Sequence, residues 1–276
     1  MTAVAPEVQL PRLESVGRVT QLRVVASEWT KLHSLRSTRW SLLAAVVLGI
    51  GLPALFAAVT SSHWGSMSPQ DRADRHPLDI ALAGVNVAQL AIAVLGVLTI
   101  TGEYSTGSIR ATLTAVPKRL PMLWAKSAVF ALVTLALMVP TVLIAFFVSQ
   151  AILSKHDLLQ ISLTDNGVLR SVLGGAVYLT LLGIFALAVG AIVRNTAGGI
   201  AAFAALFFVI PPLMNVLPAS WNHAISPYLP DAAGRSIFSL HTGSDALHPW
   251  PGFLLFVGYT AAAIAIAAVL LKRRDA

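Results

Sequence analysis

IALAGVNVAQLAIAVLGVLTIT, residues 80–101, runs for 22 residues without a charged side chain. As a helix, about 20 such residues cross the hydrocarbon core of a bilayer. Five further runs have the same character: Trp40–Thr60, Met122–Gln150, Val168–Val193, Ala197–Leu217 and Trp250–Leu271. They are continuous and rich in Ala and Leu, unlike the alternating ten-residue segments of a membrane β-barrel. Lipid offers no partner for unpaired backbone groups, so each run is expected to be a helix. Pro53, Pro140 and the pair Pro211-Pro212 are expected to bend or interrupt helices locally, with the fifth run fraying near its far end.

Composition agrees with this reading. Of 276 residues, 56% are hydrophobic and 11% charged, and the mean hydropathy is +0.76. A soluble domain carries about 25% charged residues, so this chain cannot cover its surface with them. The expected fold is all-α and polytopic, with six transmembrane helices.

Basic residues set the orientation. With the N-terminus in the cytoplasm, 14 of the 19 Lys and Arg fall in cytoplasmic segments and 5 outside. The acidic residues divide 5 inside and 7 outside. Excess Lys and Arg mark cytoplasmic loops, so both termini are expected to be cytoplasmic, in the cell membrane. The same bias accounts for a pI near 10.2 without nucleic acid as a partner. The first run is not expected to be a cleaved signal, because 39 residues precede Trp40 and no small-residue cleavage site follows.

The chain divides into a tail (1–15), an amphipathic interfacial helix (16–39), the six-span region (40–271) and a basic end (272–276). In the second segment Val19, Leu22, Ala26, Trp29 and Leu32 fall on one helical face. Trp29 and Lys31 are the expected interfacial anchors, with Trp29 at headgroup level and Glu28 one turn before Lys31. A helix packed on a soluble partner would show the same pattern.

Several chemistries find no support. Zero cysteines exclude disulfides and thiolate sites, and no G-x-x-x-x-G-K-[ST] phosphate loop occurs. No Asp or Glu lies inside a run, whereas ion-coupled carriers usually place carboxylates at membrane depth. His63, His76, His156, His223, His241 and His248 fall in the outer loops without an i, i+3 or i, i+4 pair. They read as solvated loop residues, and no metal site is expected.

The polar stretch 102–120 stands between two apolar runs on the cytoplasmic side. Ile109, Leu113 and Val116 have helical spacing, Thr106 is a plausible cap and Pro117 a stop. Glu103 near the start favours the helix dipole. A docking helix and an ordinary loop helix fit this spacing equally.

Four separated segments resemble one family. SEWTKLHSLRSTRW (27–40), GEYSTGSIRATLTAVPKR (102–119), LAVGAIVRNTAGGIAA (187–202) and ISPYLPDAAGRSIF (225–238) are similar to the type-2 ABC exporter permeases common in actinobacteria, in the same order and spacing. The resemblance implies an N-terminal elbow helix, six spans, a cytoplasmic coupling helix at 102–120 and an outer re-entrant hairpin at 218–249. It further implies that Glu103, Tyr104, Ser105, Thr106, Gly107, Ser108, Ile109 and Arg110 begin the helix gripped by a separate ATP-binding cassette subunit. Glu103 would pair with a basic group on that partner or cap the helix. Arg194, Asn195 and Thr196 would form the inner turn between spans four and five. A second permease copy, or a sibling, would complete the path; ATP and magnesium would sit on the ATPase partner, leaving no cofactor and no catalysis in this chain. An ion-coupled secondary carrier, or a non-transport membrane anchor or sensor, are the alternatives. An adjacent ATPase reading frame would favour the exporter. Small residues at Ala186/Gly190 and Ala197/Ala201 fit close helix packing, within the subunit or at a dimer face.

Overall fold

The computed structural model describes residues 21–105, 119–155, 160–240 and 246–273. The tail 1–15, Thr106–Arg110, His156, His241 and the last residues of the basic end lie outside the described residues. The chain is helical, with no strand among the described residues. In order it forms α1 (Gln21–Ser34), α2 (Arg36–His63), a 3-10 turn (Trp64–Ser66), α3 (Pro69–Ala73), α4 (Pro77–Ser105), α5 (Arg119–Leu153) and α6 (Val168–Val193). Then follow α7 (Thr196–Ala204), a π segment (Ala205–Val209), α8 (Ile210–Met214), α9 (Ala219–Ile225), a 3-10 turn (Ser226–Tyr228), α10 (Pro230–Arg235) and α11 (Pro249–Arg273). Six helical stretches are long and apolar enough to cross a membrane: α2, α4, α5, α6, the α7–π–α8 stretch and α11. The chain is a multi-pass membrane protein.

Helices α4 and α6 form the centre, and α2 and the fifth span are the least buried. Glycines let the central helices approach. A Cβ at Gly96 would strike the carbonyl oxygen of Gly183, and one at Gly84 the carbonyl of Gly49. Gly190 lies against Val97 and Ile100, and Ala186 against Gly96. The Ala186/Gly190 pair therefore packs inside the subunit. Phe203 and Phe207 stack at 4.4 Å, and Phe185 and Phe256 join them, closing the core between α6, the fifth span and α11.

Two of the prolines leave their helices unbroken, and the third site interrupts its span. Helix α2 continues through Pro53 and α5 through Pro140. Pro53 cannot donate to the carbonyl of Gly49; that carbonyl lies against Gly84 of α4, so the lost bond falls where two backbones meet. At Pro211-Pro212 the fifth span does not simply fray. A wide turn precedes the pair, with the Ile210 N–H bonded to the Ala205 carbonyl five residues back. That π register absorbs the two missing donors and the helix resumes for one turn.

Helix α1 presents two faces. Its buried residues are Val24, Glu28 and Leu32, while Leu22 is 82% exposed and Trp29 is exposed. The apolar stripe through Leu22 and Trp29 therefore faces away from the bundle. Glu28 faces inward because a buried ammonium, that of Lys126, waits there. Leu35 is extended and separates α1 from α2. Arg39 donates to the His33 carbonyl at 3.1 Å, capping the end of α1 with a cation.

Between α9 and α11 the chain enters the bundle. Gly234 of α10 sits against the Tyr178 ring, ten residues or about 15 Å into α6. Arg170 holds the segment after α10, donating to the Ile237 carbonyl at 2.6 Å and the Ser239 carbonyl at 3.0 Å. Asp231 is buried there and accepts from Arg235 Nε at 2.8 Å. The Tyr178 hydroxyl, close to this pair, donates to Gln89 Oε1 at 2.7 Å. No run contains this acid, yet packing brings it beside the middle of a span.

Candidate functional site

The last turn of α4 is where the most elements meet. Glu103 lies inside the helix, buried, two residues before its end. Its Oε1 accepts from Lys126 Nζ at 2.9 Å and from Lys31 Nζ at 3.0 Å. Lys126, in the second turn of α5, also donates to Glu28 Oε2 of α1. Lys31 closes the set by donating to Glu28 Oε1 at 2.8 Å. Two carboxylates and two ammonium groups thus form a neutral cluster from three helices. Glu28 and Lys126 are almost fully buried, and Lys31 is half-exposed at the rim.

The cluster survives burial because each charge has opposite charges within hydrogen-bond reach; an isolated one would cost several kcal/mol. Burial alone would lower the Lys31 pKa, but the hydrogen bond that Lys31 donates to Glu28 and the charges of Glu103 and Glu28 outweigh it, and the pKa is raised. A cation with a raised folded pKa contributes stability that is complete below its ordinary value, about 10.4. That contribution is lost as pH rises through the raised value. The difference in melting temperature between wild type and Lys31→Met should therefore be present at pH 7 and shrink above about pH 10.4. A difference independent of pH would show that Lys31 acts through packing of its stem.

The other face of the same turn carries a second set of contacts. The Arg194 guanidinium lies over the Tyr104 ring, 5.2 Å from its centroid, and donates to the Leu270 carbonyl of α11 at 3.3 Å. Thr196 donates to Thr101 at 2.9 Å. Arg194 has φ 58, a left-handed conformation, and its N–H bonds to the Gly190 carbonyl. Asn195 caps α7 by accepting from the Gly198 N–H. Arg194, Asn195 and Thr196 thus form the tight turn between the fourth and fifth spans, and two of them touch α4.

Of the expected coupling residues, Glu103, Tyr104 and Ser105 end α4, while Thr106, Gly107, Ser108, Ile109 and Arg110 lie outside the described residues. Glu103 already has its basic partners within this chain. Of the expected anchors, Trp29 is exposed and stacks near His33 at 4.4 Å. Lys31 turns from the headgroup role to the cluster. Sequence reading missed Glu28 and Lys126 as members. Lys126 pairs with a residue 98 positions away, which no local period reveals; a lone Lys seven residues past the start of α5 was the available signal.

A cavity of about 400 Å³ opens beside the cluster between α1, the start of α2 and the end of α4. Leu32, Leu35 and Leu98 form its apolar wall, and Thr38, Thr99 and Ser105 supply hydroxyls. The arrangement holds no nucleophile–base pair. It fastens α1, the end of α4 and the start of α5 together. No family model matches the chain and no curated protein matches it, so its place is given by its own structure: a helical protein with six helices able to cross a membrane.

Proposed function

We propose that this chain is the permease subunit of an ATP-driven exporter of the type-2 ABC class, working with a separate ATP-binding cassette ATPase and a second permease chain. The observation that carries the reading is the joining of α4 to its surroundings at Glu103 and Tyr104. Ion pairs tie that turn to α1 and α5, and Arg194 and Thr196 tie it to the fourth, fifth and sixth spans. A force on 106–118 would enter the bundle through the flanks of α4 and α5 and reach every one of these elements together. In this reading both termini are cytoplasmic in the cell membrane, α1 is the elbow helix and α10 belongs to the re-entrant segment. The ATPase supplies the energy, because its two nucleotide states bind the permease differently.

Ile109→Asp tests the coupling. A charge placed in an apolar groove contact should weaken co-purification with the ATPase about tenfold or more, the equivalent of ~1.4 kcal/mol. Substrate-stimulated ATP hydrolysis in liposomes should fall with it, while the permease folds and inserts as before. Intact pull-down and intact coupled transport would overturn the reading. One observation favours the ion-coupled carrier instead: Asp231 is a buried acid packed close to Tyr178 in α6. Uptake driven by a pH gradient without the ATPase, and lost in Asp231→Asn, would select it.

A further inference from the structure

At the end of the bundle opposite the ion cluster, the 3-10 turn after α2, α3 and the start of α4 line an open cavity of about 570 Å³. Arg72, Arg75 and His76 line it together with Trp64, Pro77 and Ile161. Among the described residues no carboxylate lines it, although Asp71, Asp74 and Asp79 lie close in sequence to its two arginines. Asp71 is occupied at the cap of α3: the Ser68 hydroxyl donates to its Oδ2 at 2.7 Å, and its own N–H donates to Ser68 Oγ at 3.1 Å. Asp74 and Asp79 are exposed and stand off the cavity.

Arg72 is held in place by its neighbours. Its guanidinium lies 5.5 Å above the Trp64 ring centroid and Nη2 donates to the Gly65 carbonyl at 3.2 Å. Stacking on an aromatic face fixes the plane of the fork and leaves its edge for an acceptor. Its Nε–H is buried with no hydrogen-bond partner among the described residues. Arg75 beside it is exposed.

We propose that this cavity is a phosphate-binding site, with Arg72 and Arg75 supplying its charged donors. A phosphate offers several oxygens in the geometry that a guanidinium fork meets two at a time. The volume exceeds that of a bare phosphate and accommodates a phosphoglycerol-sized group. The cavity also stands where a spanning helix ends in a tryptophan, the level at which aromatic side chains meet headgroups. A phospholipid headgroup and free inorganic phosphate share this chemistry.

The test uses the full chain, purified in detergent and freed of lipid. Bound dioleoylphosphatidylglycerol is counted by native mass spectrometry across a titration, and inorganic phosphate is titrated by calorimetry and as a competitor. Each is read for wild type, Arg75→Gln and Arg72→Lys. Phosphatidylglycerol occupancy at one site that weakens about tenfold or more in both variants, without competition from phosphate, assigns the site to a lipid headgroup. Phosphate binding, or competition, that weakens to the same degree assigns it to the soluble anion. Either outcome supports the proposal. If neither probe binds, or both bind the variants as tightly as wild type, the proposal is overturned. Should Arg75→Gln fail to fold, Arg75→Lys, which keeps the charge and removes the fork, gives the same reading.

Discussion

Replacing Lys126 with alanine is expected to destabilise the protein by about 3–5 kcal/mol, the range for removing one partner of a buried ion pair. The substitution leaves Glu28 and Glu103, both buried, without the ammonium that they share. Lys31 stays in contact with both but sits at the rim, where solvent weakens its field. The triple variant Glu28→Gln, Glu103→Gln, Lys126→Met behaves differently. It removes the three buried charges and leaves only Lys31, at the rim within reach of solvent, and replacing buried charges together is often neutral or stabilising by about 1–4 kcal/mol. Equilibrium unfolding in mixed micelles measures both. If Lys126→Ala matches wild type, water already solvates the cluster and its role in fastening α1, α4 and α5 disappears. If the triple variant is as stable as wild type yet uncoupled from ATP hydrolysis, the charges serve transmission and not stability.

A second large effect is expected at Gly183→Arg. An arginine near the centre of a span costs about 2.5–3.5 kcal/mol on insertion scales, and here geometry adds to it. A Cβ at this position would lie 2.7 Å from Phe130 Cζ and 2.9 Å from Ile92 Cγ2, so even alanine displaces a ring. Overpacking of this kind costs about 1–3 kcal/mol, and the guanidinium has no water to reach between α4, α5 and α6. Folded yield should collapse for Gly183→Arg and fall moderately for Gly96→Ala. Normal expression and unchanged melting of the arginine variant would show that position 183 faces water.

The six spans were legible because lipid filters composition so severely. The fourth run, Val168–Val193, coincides with α6, whereas α4 extends beyond 80–101 to Pro77 and Ser105. Hydropathy reports the solvent around a residue and not the backbone, so it ends a span at Glu103 although the helix continues through it. The small residues Ala186 and Gly190 announced a close contact, and the structure assigns it to α4. The rest depended on contacts that no window contains. In α1 the apolar spacing marked Leu22 and Trp29 as an interfacial face, and both are exposed; what no local period could show is the distant ammonium that draws Glu28 into the bundle. The depth of Asp231 was hidden because its own segment is short and polar; Gly234 and Tyr178 place it only once α6 and α10 are packed. The glycine-rich approach of Gly84 to the carbonyl freed by Pro53 is a tertiary event as well.

The Arg194–Asn195 turn has a consequence for how the chain is made. Two residues hold the start of the fifth span beside the end of α6, at one surface of the membrane. A fully extended pair covers about 7 Å at most. Helix α6 and the fifth span are therefore expected to enter the membrane as a hairpin. The fifth span, interrupted by its wide turn and two prolines, is carried in by the more strongly apolar helix before it. Lengthening that connector would let one helix insert well before the other and expose the weaker partner to mis-insertion.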